Sequence, residues 1–191
     1  ITTRYESGEF AAIKDIEDIM SGTRSVIEQG FVDPLRVAIL GHSAGGQRVY
    51  ILLTQHDLFA AAILNESISP DPVSIFIKLA SGEYTGSYPE GVFRQVFGGD
   101  LDEYPGRYKT NYMFDSYRIG TPALIMLGNE ELGGIYQMPS EVLYSILRQR
   151  GVPTRLLKFV EEGHNYSRPE SAKFAFEEVR RWLETHMPAV Q

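Results

Sequence analysis

Four short apolar runs, flanked by stretches of helical periodicity, constrain this chain more than any other feature. Runs of this kind are typical of strands buried on both faces, and they occupy residues 36–40, 60–64, 122–127 and 154–160. Elsewhere apolar residues recur every three to four positions, which predicts helices over residues 9–29, 45–54, 140–150 and 170–186. Alternating strands and helices imply parallel pairing with right-handed crossovers. The predicted fold is therefore a doubly wound, mostly parallel α/β sheet.

Residues 67–120 are rich in Tyr, Phe, Gly and Pro and depart from the alternation, with one short helix predicted over residues 73–79. The last predicted helix is expected to carry its apolar residues on one face, namely Phe176, Val179, Trp182 and Leu183.

Composition excludes several classes of function. The chain has 191 residues, a formal net charge of −7 and no cysteine. An acidic chain argues against a nucleic-acid partner, and the absence of cysteine excludes disulfides, thiolate catalysis and cysteine-based zinc sites; no cofactor is expected.

No apolar run approaches the ~20 residues needed to cross a bilayer. We therefore expect a soluble protein, whose compartment stays open between cytoplasm and periplasm. We also expect a bacterial source. Since the chain opens at Ile1, we expect it to be part of a longer or processed product.

The GHSAG motif at residues 41–45 lies directly after the first predicted strand and directly before a helix. In this context G-x-S-x-G predicts a nucleophile elbow, a tight turn that presents the hydroxyl of Ser43 above the sheet edge. Side chains two positions from the serine would clash there, which explains the two flanking glycines, and Gly46 gives the helix room to pack closely. The backbone N–H of Ala44 would point to the oxyanion position. The other interpretations are a glycine-rich structural turn and a phosphate cradle at the helix N-terminus.

A serine hydroxyl needs an adjacent base, and the chain has four histidines. His164 follows the fourth strand at the carboxyl edge of the sheet, where ligands bind in open α/β folds, and is the predicted base. His42, inside the elbow, is expected to point away from Ser43 and to serve as a packing or loop-pinning residue. His56 is expected to be solvated, and His186 closes the last helix, where a cation suits the helix dipole.

The base needs an acid, which in this fold follows the third strand in the chain order Ser, acid, His. The sequence there reads GNEEL at residues 128–132 and contains no aspartate. Glu131 is the predicted acid and Glu130 is its rival, while two solvated loop glutamates are the structural alternative.

These motifs together resemble the prolyl oligopeptidase family of serine peptidases over nearly the whole chain. Besides the elbow, the similar segments are DPLRV at 33–37, GGD at 98–100 with Tyr108 downstream, IGTP at 119–122, GVP at 151–153 and GH at 163–164. The resemblance implies an α/β-hydrolase catalytic domain with Ser43 as nucleophile, His164 as base and Ala44 as an oxyanion donor.

The sequence departs from the family in two ways. The family usually carries aspartate where this chain has Glu131, which resembles the lasso-peptide isopeptidases, whose Ser–Glu–His set opens a macrolactam ring in a threaded peptide. The first strands of the hydrolase domain and the usual β-propeller are also absent, so residues 1–191 are expected to form the C-terminal portion of the domain. One absent piece normally supplies the second oxyanion donor. Because half a sheet would expose an apolar edge, we expect this chain to associate with the N-terminal part of the same protein.

Three functions remain open from the sequence. The first is a peptidase of the prolyl oligopeptidase type that acts on peptides, isopeptidases included. The second is a carboxylesterase with the same triad, and the third is a catalytically silent interaction domain. Four aromatic residues could line a substrate pocket or simply pack in the core: Phe76, Tyr84, Tyr88 and Phe93.

Overall fold

A computed structural model of the chain describes residues 11–67, 112–129 and 136–187. In chain order the elements are α1 (Ala11–Glu28), β1 (Ala38–His42), α2 (Ala44–Gln55), β2 (Ala61–Asn65), α3 (Tyr112–Asp115), a 3-10 turn (Ser116–Arg118), β3 (Ala123–Gly128), α4 (Gln137–Gln149), β4 (Thr154–Phe159) and α5 (Pro169–His186). The predicted helix over residues 73–79 lies outside the described residues.

The four strands form one parallel sheet in the order β1-β2-β3-β4. The register pairs Gly41 with Leu64, Asn65 with Met126, and Gly128 with Phe159. Since all four strands run the same way, their carboxyl ends lie along a single edge. The segments that follow β1, β2, β3 and β4 therefore meet at that edge, which confirms the predicted parallel α/β architecture.

Helices cover both faces of the sheet, and alternating strand residues supply the two cores. Ala62, Leu64 and Ile125 face the larger core, which they share with buried residues of α1, α2 and α4. Ile63, Leu124 and Met126, which alternate with them, face a smaller core. On that side the partly buried Val179, Trp182 and Leu183 of α5 pack against the sheet, together with the buried Ala175.

Two predictions about burial are wrong. Leu40 of β1 is 60% exposed, so this strand is not buried on both faces. In the described sheet β1 has a hydrogen-bonded neighbour on one side only. On α5, Phe176 is 71% exposed and Ala175 takes the buried position instead, because the helical turn brings Ala175 into line with Val179.

Charged residues cover the outer face of α5. Arg180 pairs with Glu184 and Arg181 pairs with Glu177, each one turn away, a spacing that supports a helix by a few tenths of a kcal/mol, about 0.2–0.5 per pair. Within residues 11–67, 112–129 and 136–187, no helix has both the length and the apolar character that a membrane span requires.

Two close backbone approaches join the segments at the carboxyl edge. A Cβ added to Gly46 of α2 would lie 2.9 Å from the Cα of Ser67, just after β2. A Cβ added to Gly128, the last residue of β3, would collide with the carbonyl oxygens of Glu162 and Gly163. The end of β3 is therefore packed directly against the loop that follows β4.

We expect Gly128→Ala to lower the free energy of unfolding by about 1–3 kcal/mol or more, because the added methyl meets backbone that cannot move aside. Gly22→Ala is the matched control: Gly22 lies within α1 with no described atom within 4 Å of an added Cβ. This change should stabilise the protein by roughly 0.5–1 kcal/mol. Urea unfolding of the two variants in the intact protein measures both effects, and equal stability of the two would contradict the close approach.

Candidate active site

The backbone at Ser43 is strained, as a nucleophile elbow requires. Its φ is 56° and its ψ is −122°, a conformation that costs a non-glycine residue on the order of 1–3 kcal/mol. The Ser43 N–H donates to the carbonyl oxygen of Asn65 at 2.9 Å, and the Ser43 carbonyl accepts from the N–H of Gln47 at 3.1 Å. The Ser43 hydroxyl makes no hydrogen bond that caps α2. Main-chain hydrogen bonds therefore hold the turn, and the Ser43 hydroxyl is not engaged in capping the helix.

The two glycines that flank the motif, Gly41 and Gly45, have different surroundings. A Cβ on Gly41 would meet the backbone of Gly45 and Gly46, so the predicted clash is confirmed there. At Gly45 it is wrong, because no described atom lies within 4 Å of an added Cβ: this residue is exposed on the first turn of α2. The close backbone approach that excludes a side chain therefore lies at Gly41, on the strand side of Ser43.

Ala44 is the first residue of α2 and is exposed. The N–H groups of a first turn have no acceptor within the helix, and the helix dipole places partial positive charge at this end. The amide of Ala44, next to Ser43, is therefore suited to stabilise a negatively charged oxygen.

The His164 ring contacts two other rings. Tyr136, at the start of α4, stacks on it with centroids 4.7 Å apart and 24° between planes. On the elbow, His42 contacts it with centroids 4.6 Å apart and a tilt of 41°. The structure thus brings His164 to the residue that adjoins Ser43.

His42 is pinned, as predicted, and has a contact that the sequence did not indicate. Its Nδ1 lies 3.0 Å from the amide nitrogen of Asn65, and the Tyr166 hydroxyl donates to the amide oxygen of Asn65 at 2.6 Å. Burial, with the charge of His164 second, lowers the pKa of His42 below its ordinary value of 6.5. The neutral form of His42 is therefore favoured where its ring meets His164.

The other two histidines lie away from this edge. His56 is half-buried at the end of α2, where its N–H donates to the carbonyl of Leu52. His186 packs against Trp182 with ring centroids 4.3 Å apart, and burial lowers its pKa. His186 lies in the last turn of α5, as the sequence predicts, and burial of its ring favours the neutral form.

Glu66, directly after β2, is a buried carboxylate that sequence reasoning missed. It is 1% exposed with a φ of 48°, and its Oε1 accepts a hydrogen bond from the N–H of Gly128. Burial, then the charges of Glu66 and Glu162, raises the pKa of Tyr166. Glu66 therefore holds the end of β3, close to the loop that carries His164.

Glu162 holds the His164 loop closed. Its side chain is fully buried and accepts from the N–H and hydroxyl of Ser167 at 2.7 and 3.1 Å and from the N–H of Arg168 at 3.2 Å. A hydrogen bond from the Ser171 hydroxyl, together with those of Ser167 and Arg168, lowers the pKa of Glu162 below 4.5. The carboxylate thus bridges the two ends of a short loop with His164 inside it.

The predicted acid Glu131 and its rival Glu130 lie outside the described residues, as do the aromatic residues Phe76, Tyr84, Tyr88 and Phe93. The segment that carries the two glutamates is fixed on either side. Before it, the N–H of Asn129 donates to the carbonyl of Phe159 at 3.0 Å; after it, Tyr136 stacks on His164.

A signal for the missed residues was available. Asn65 and Glu66 directly follow the second apolar run, at the same edge as the elbow, where polar side chains of open α/β sheets tend to be functional. Among the described residues, no group of three or more His, Asp or Glu side chains could hold a metal ion.

The model of the prolyl oligopeptidase family matches residues 11–189 of the chain. Acylamino-acid-releasing enzyme 1 of rice (Oryza sativa) is 25% identical over 185 residues, which cover 91% of this chain and 23% of that protein. The uncharacterized peptidase YuxL of Bacillus subtilis is 25% identical over 178 residues, covering 91% of this chain and 26% of that protein. The chain spans about a quarter of the length of the curated relatives it matches.

Solved structures show the same fold. A puromycin-hydrolyzing peptidase of Mycobacterium tuberculosis superposes with a TM-score of 0.78 and 22% identity over 92% of this chain and 26% of that one. The fold is that of the α/β-hydrolase peptidases. The AtxE2 isopeptidase superposes with a TM-score of 0.70 and 21% identity over 98% of this chain and 28% of that one.

We expect Glu162→Gln to loosen the His164 loop, because an amide presents one acceptor oxygen where the carboxylate presents two. Hydrogen exchange of the Ser167 and Arg168 amides should become several-fold faster. Because the folded pKa of Glu162 is lowered, its stabilising contribution is complete above pH 4.5 and is lost as pH falls through the folded value. The wild type should therefore show the same loosening only in acid.

Glu161→Gln is the control for this change. Glu161 is the adjacent glutamate, and its exposed carboxylate pairs with the Arg168 side chain; an exposed pair of this kind contributes little. Equal exchange in the two variants, at neutral pH, would show that Glu162 is not the clamp.

Proposed function

The chain belongs to the prolyl oligopeptidase family, and on that premise we propose that the protein is a serine peptidase that cleaves an amide bond of a peptide through an acyl-enzyme. One observation carries the proposal. Ser43 occupies a strained elbow whose hydroxyl is not used in capping, and the ring of His164 contacts His42, the residue beside Ser43.

In the proposed reaction, His164 takes the hydroxyl proton of Ser43 as the serine oxygen attacks the scissile carbonyl carbon. The Ala44 N–H, at the positive end of α2, stabilises the resulting oxyanion. The C–N bond breaks as His164 gives its proton to the leaving amine, and the acyl group remains on Ser43. Water then attacks the ester with His164 again as base, which releases the acid and restores Ser43.

We propose Glu131 as the acceptor for the Nδ1–H of His164, with Glu130 as the rival. An acid in this position fixes the tautomer of the base and stabilises its protonated form. The order Ser43, Glu131, His164 is the chain order of this fold. The two anchors around the segment, at Asn129 and Tyr136, support a carboxylate presented close to His164.

The proposed substrate is a peptide, with the opening of a macrolactam ring in a lasso peptide as the specific case. Relatives that release acylamino acids support a peptide substrate. Glutamate at position 131, in place of the aspartate usual in the family, favours the isopeptidase case. The carboxylesterase remains the second candidate, because the same three side chains hydrolyse esters.

We further propose that the chain works together with an N-terminal part of the same protein, which would supply further strands, a β-propeller and the second oxyanion donor. The relatives are about four times longer than the matched region. In addition, β1 lies at one end of the described sheet with Leu40 exposed, as expected of a strand that another strand pairs with.

Labelling of the intact protein with a fluorophosphonate probe tests the proposed triad. Ser43→Ala should abolish labelling, because the probe reacts with the activated hydroxyl. Glu131→Gln should slow labelling by about 10²–10⁴-fold, since the base loses its orienting acid. The adjacent Glu130→Gln should stay within a few-fold of the wild type and is the matched control.

Each other outcome has a defined meaning. Labelling that survives Ser43→Ala would show that the elbow is structural and would refute the mechanism. A loss in Glu130→Gln alone would assign the acid to Glu130. Labelling as proposed, with turnover of p-nitrophenyl esters but of no peptide amide or macrolactam, would make the protein a carboxylesterase.

A further inference from the structure

The side chain of Asn65 connects the elbow with the His164 loop. It lies at the end of β2, the strand next to the elbow strand β1. Its amide nitrogen faces Nδ1 of His42 at 3.0 Å, and its amide oxygen accepts from the Tyr166 hydroxyl at 2.6 Å. Tyr166 follows His164 by two residues. One amide thus links a ring on the nucleophile turn with a ring on the base loop.

This arrangement determines where His42 carries its proton. An amide nitrogen can only donate, so Nδ1 of His42 must accept, and the proton of the neutral ring is on Nε2. Protonation of His42 would place an N–H at Nδ1 against the N–H of Asn65 and remove that hydrogen bond. The Tyr166 hydroxyl keeps the amide in this orientation, because it donates to the oxygen end.

The neutral state of His42 matters because of its neighbour. In the proposed mechanism His164 becomes a cation as it takes the Ser43 proton, and its ring centroid is 4.6 Å from that of His42. A second cation at that distance would oppose the protonation of His164 in the transition state. A neutral His42 leaves the protonated base in contact with two uncharged rings, those of His42 and Tyr136.

The charges around His42 come from few groups. Among the described residues, His164 is the titratable group whose charge acts on His42. Asn65, on β2, is uncharged. Tyr166 stays protonated because burial, Glu66 and Glu162 all raise its pKa, so the chain from His42 to Tyr166 carries no net charge at neutral pH.

We propose that Asn65 is a positioning residue that, held by Tyr166, fixes His42 as a neutral ring beside the catalytic base. The inference rests on the proposed function for the role of His164. The tautomer and protonation of His42 follow from the hydrogen bonds alone.

Asn65→Asp is the sharpest test, because it replaces the donor at Nδ1 with a carboxylate of the same shape. The introduced carboxylate would accept from Nδ1–H and raise the pKa of His42. Histidine-selective NMR titration of the intact protein, with the signal of His42 assigned from His42→Phe, should show His42 titrating at higher pH than in the wild type. An unchanged pKa of His42 would refute the proposal whether or not the protein is a hydrolase.

The kinetic readout is the pH dependence of fluorophosphonate labelling. Because the reactive form needs His42 neutral, the acid limb of the profile should move to higher pH in Asn65→Asp. One pH unit below the raised pKa, labelling should be about tenfold slower than on the plateau. Tyr166→Phe removes the hydroxyl that orients the Asn65 amide. The preference of His42 for the Nε2–H tautomer should then weaken, and its pKa should rise by less than in Asn65→Asp.

The same substitution in a His42→Phe background separates the charge of His42 from that of the introduced carboxylate. Phenylalanine keeps a ring beside His164 but cannot be protonated. The acid limb of the labelling profile should therefore shift less in the double variant than in Asn65→Asp alone. A shift of equal size would mean that the carboxylate acts directly on His164, and the proposal would be wrong. Absence of labelling in the wild type would refute the proposed function and leave the NMR result to decide the role of Asn65.

Discussion

The hydrogen bond from the Ser43 N–H to the Asn65 carbonyl is the interaction on which the carboxyl edge of the sheet depends. A serine with positive φ is unfavourable by itself and persists only where its surroundings determine it. Here the parallel pairing of β1 with β2 brings the acceptor into place, and the lack of a side chain at Gly41 lets the turn close. The backbone of Asn65 therefore holds the turn at Ser43, while its side chain holds His42.

The apolar runs and helical periods were sufficient to predict the four strands of the described residues and the strand–turn–helix around Ser43, because each depends on local pattern. The parallel pairing followed from the alternation of strands with helices. Burial at β1 was not predictable in this way, since whether Leu40 is covered depends on which strands lie beside it. The contact between His42 and His164 joins distant parts of the chain and leaves no mark in the spacing of residues. Glu130 and Glu131 are adjacent glutamates, and the pattern alone does not rank them.

Two buried loop glutamates, Glu66 and Glu162, show why charge misleads when a site is interpreted from sequence. A glutamate in a loop is expected to be solvated, yet Glu66 and Glu162 are among the most buried residues described. Both accept from main-chain N–H groups, Glu66 from Gly128 and Glu162 from Ser167 and Arg168. These donors compensate the carboxylate for the water it loses. Such donors become apparent only once the loops are folded around the side chain.

The segment between Asn129 and Tyr136 starts from a strand end tied to its neighbour and ends at a ring stacked on His164. Loops are usually where chains tolerate insertions and deletions. Here Asn129 is bonded to the end of β4 and Tyr136 is stacked on His164, so one added or lost residue between them would strain one of these two contacts. Evolutionary change in this loop should therefore be confined to residue identity, while its length stays constant.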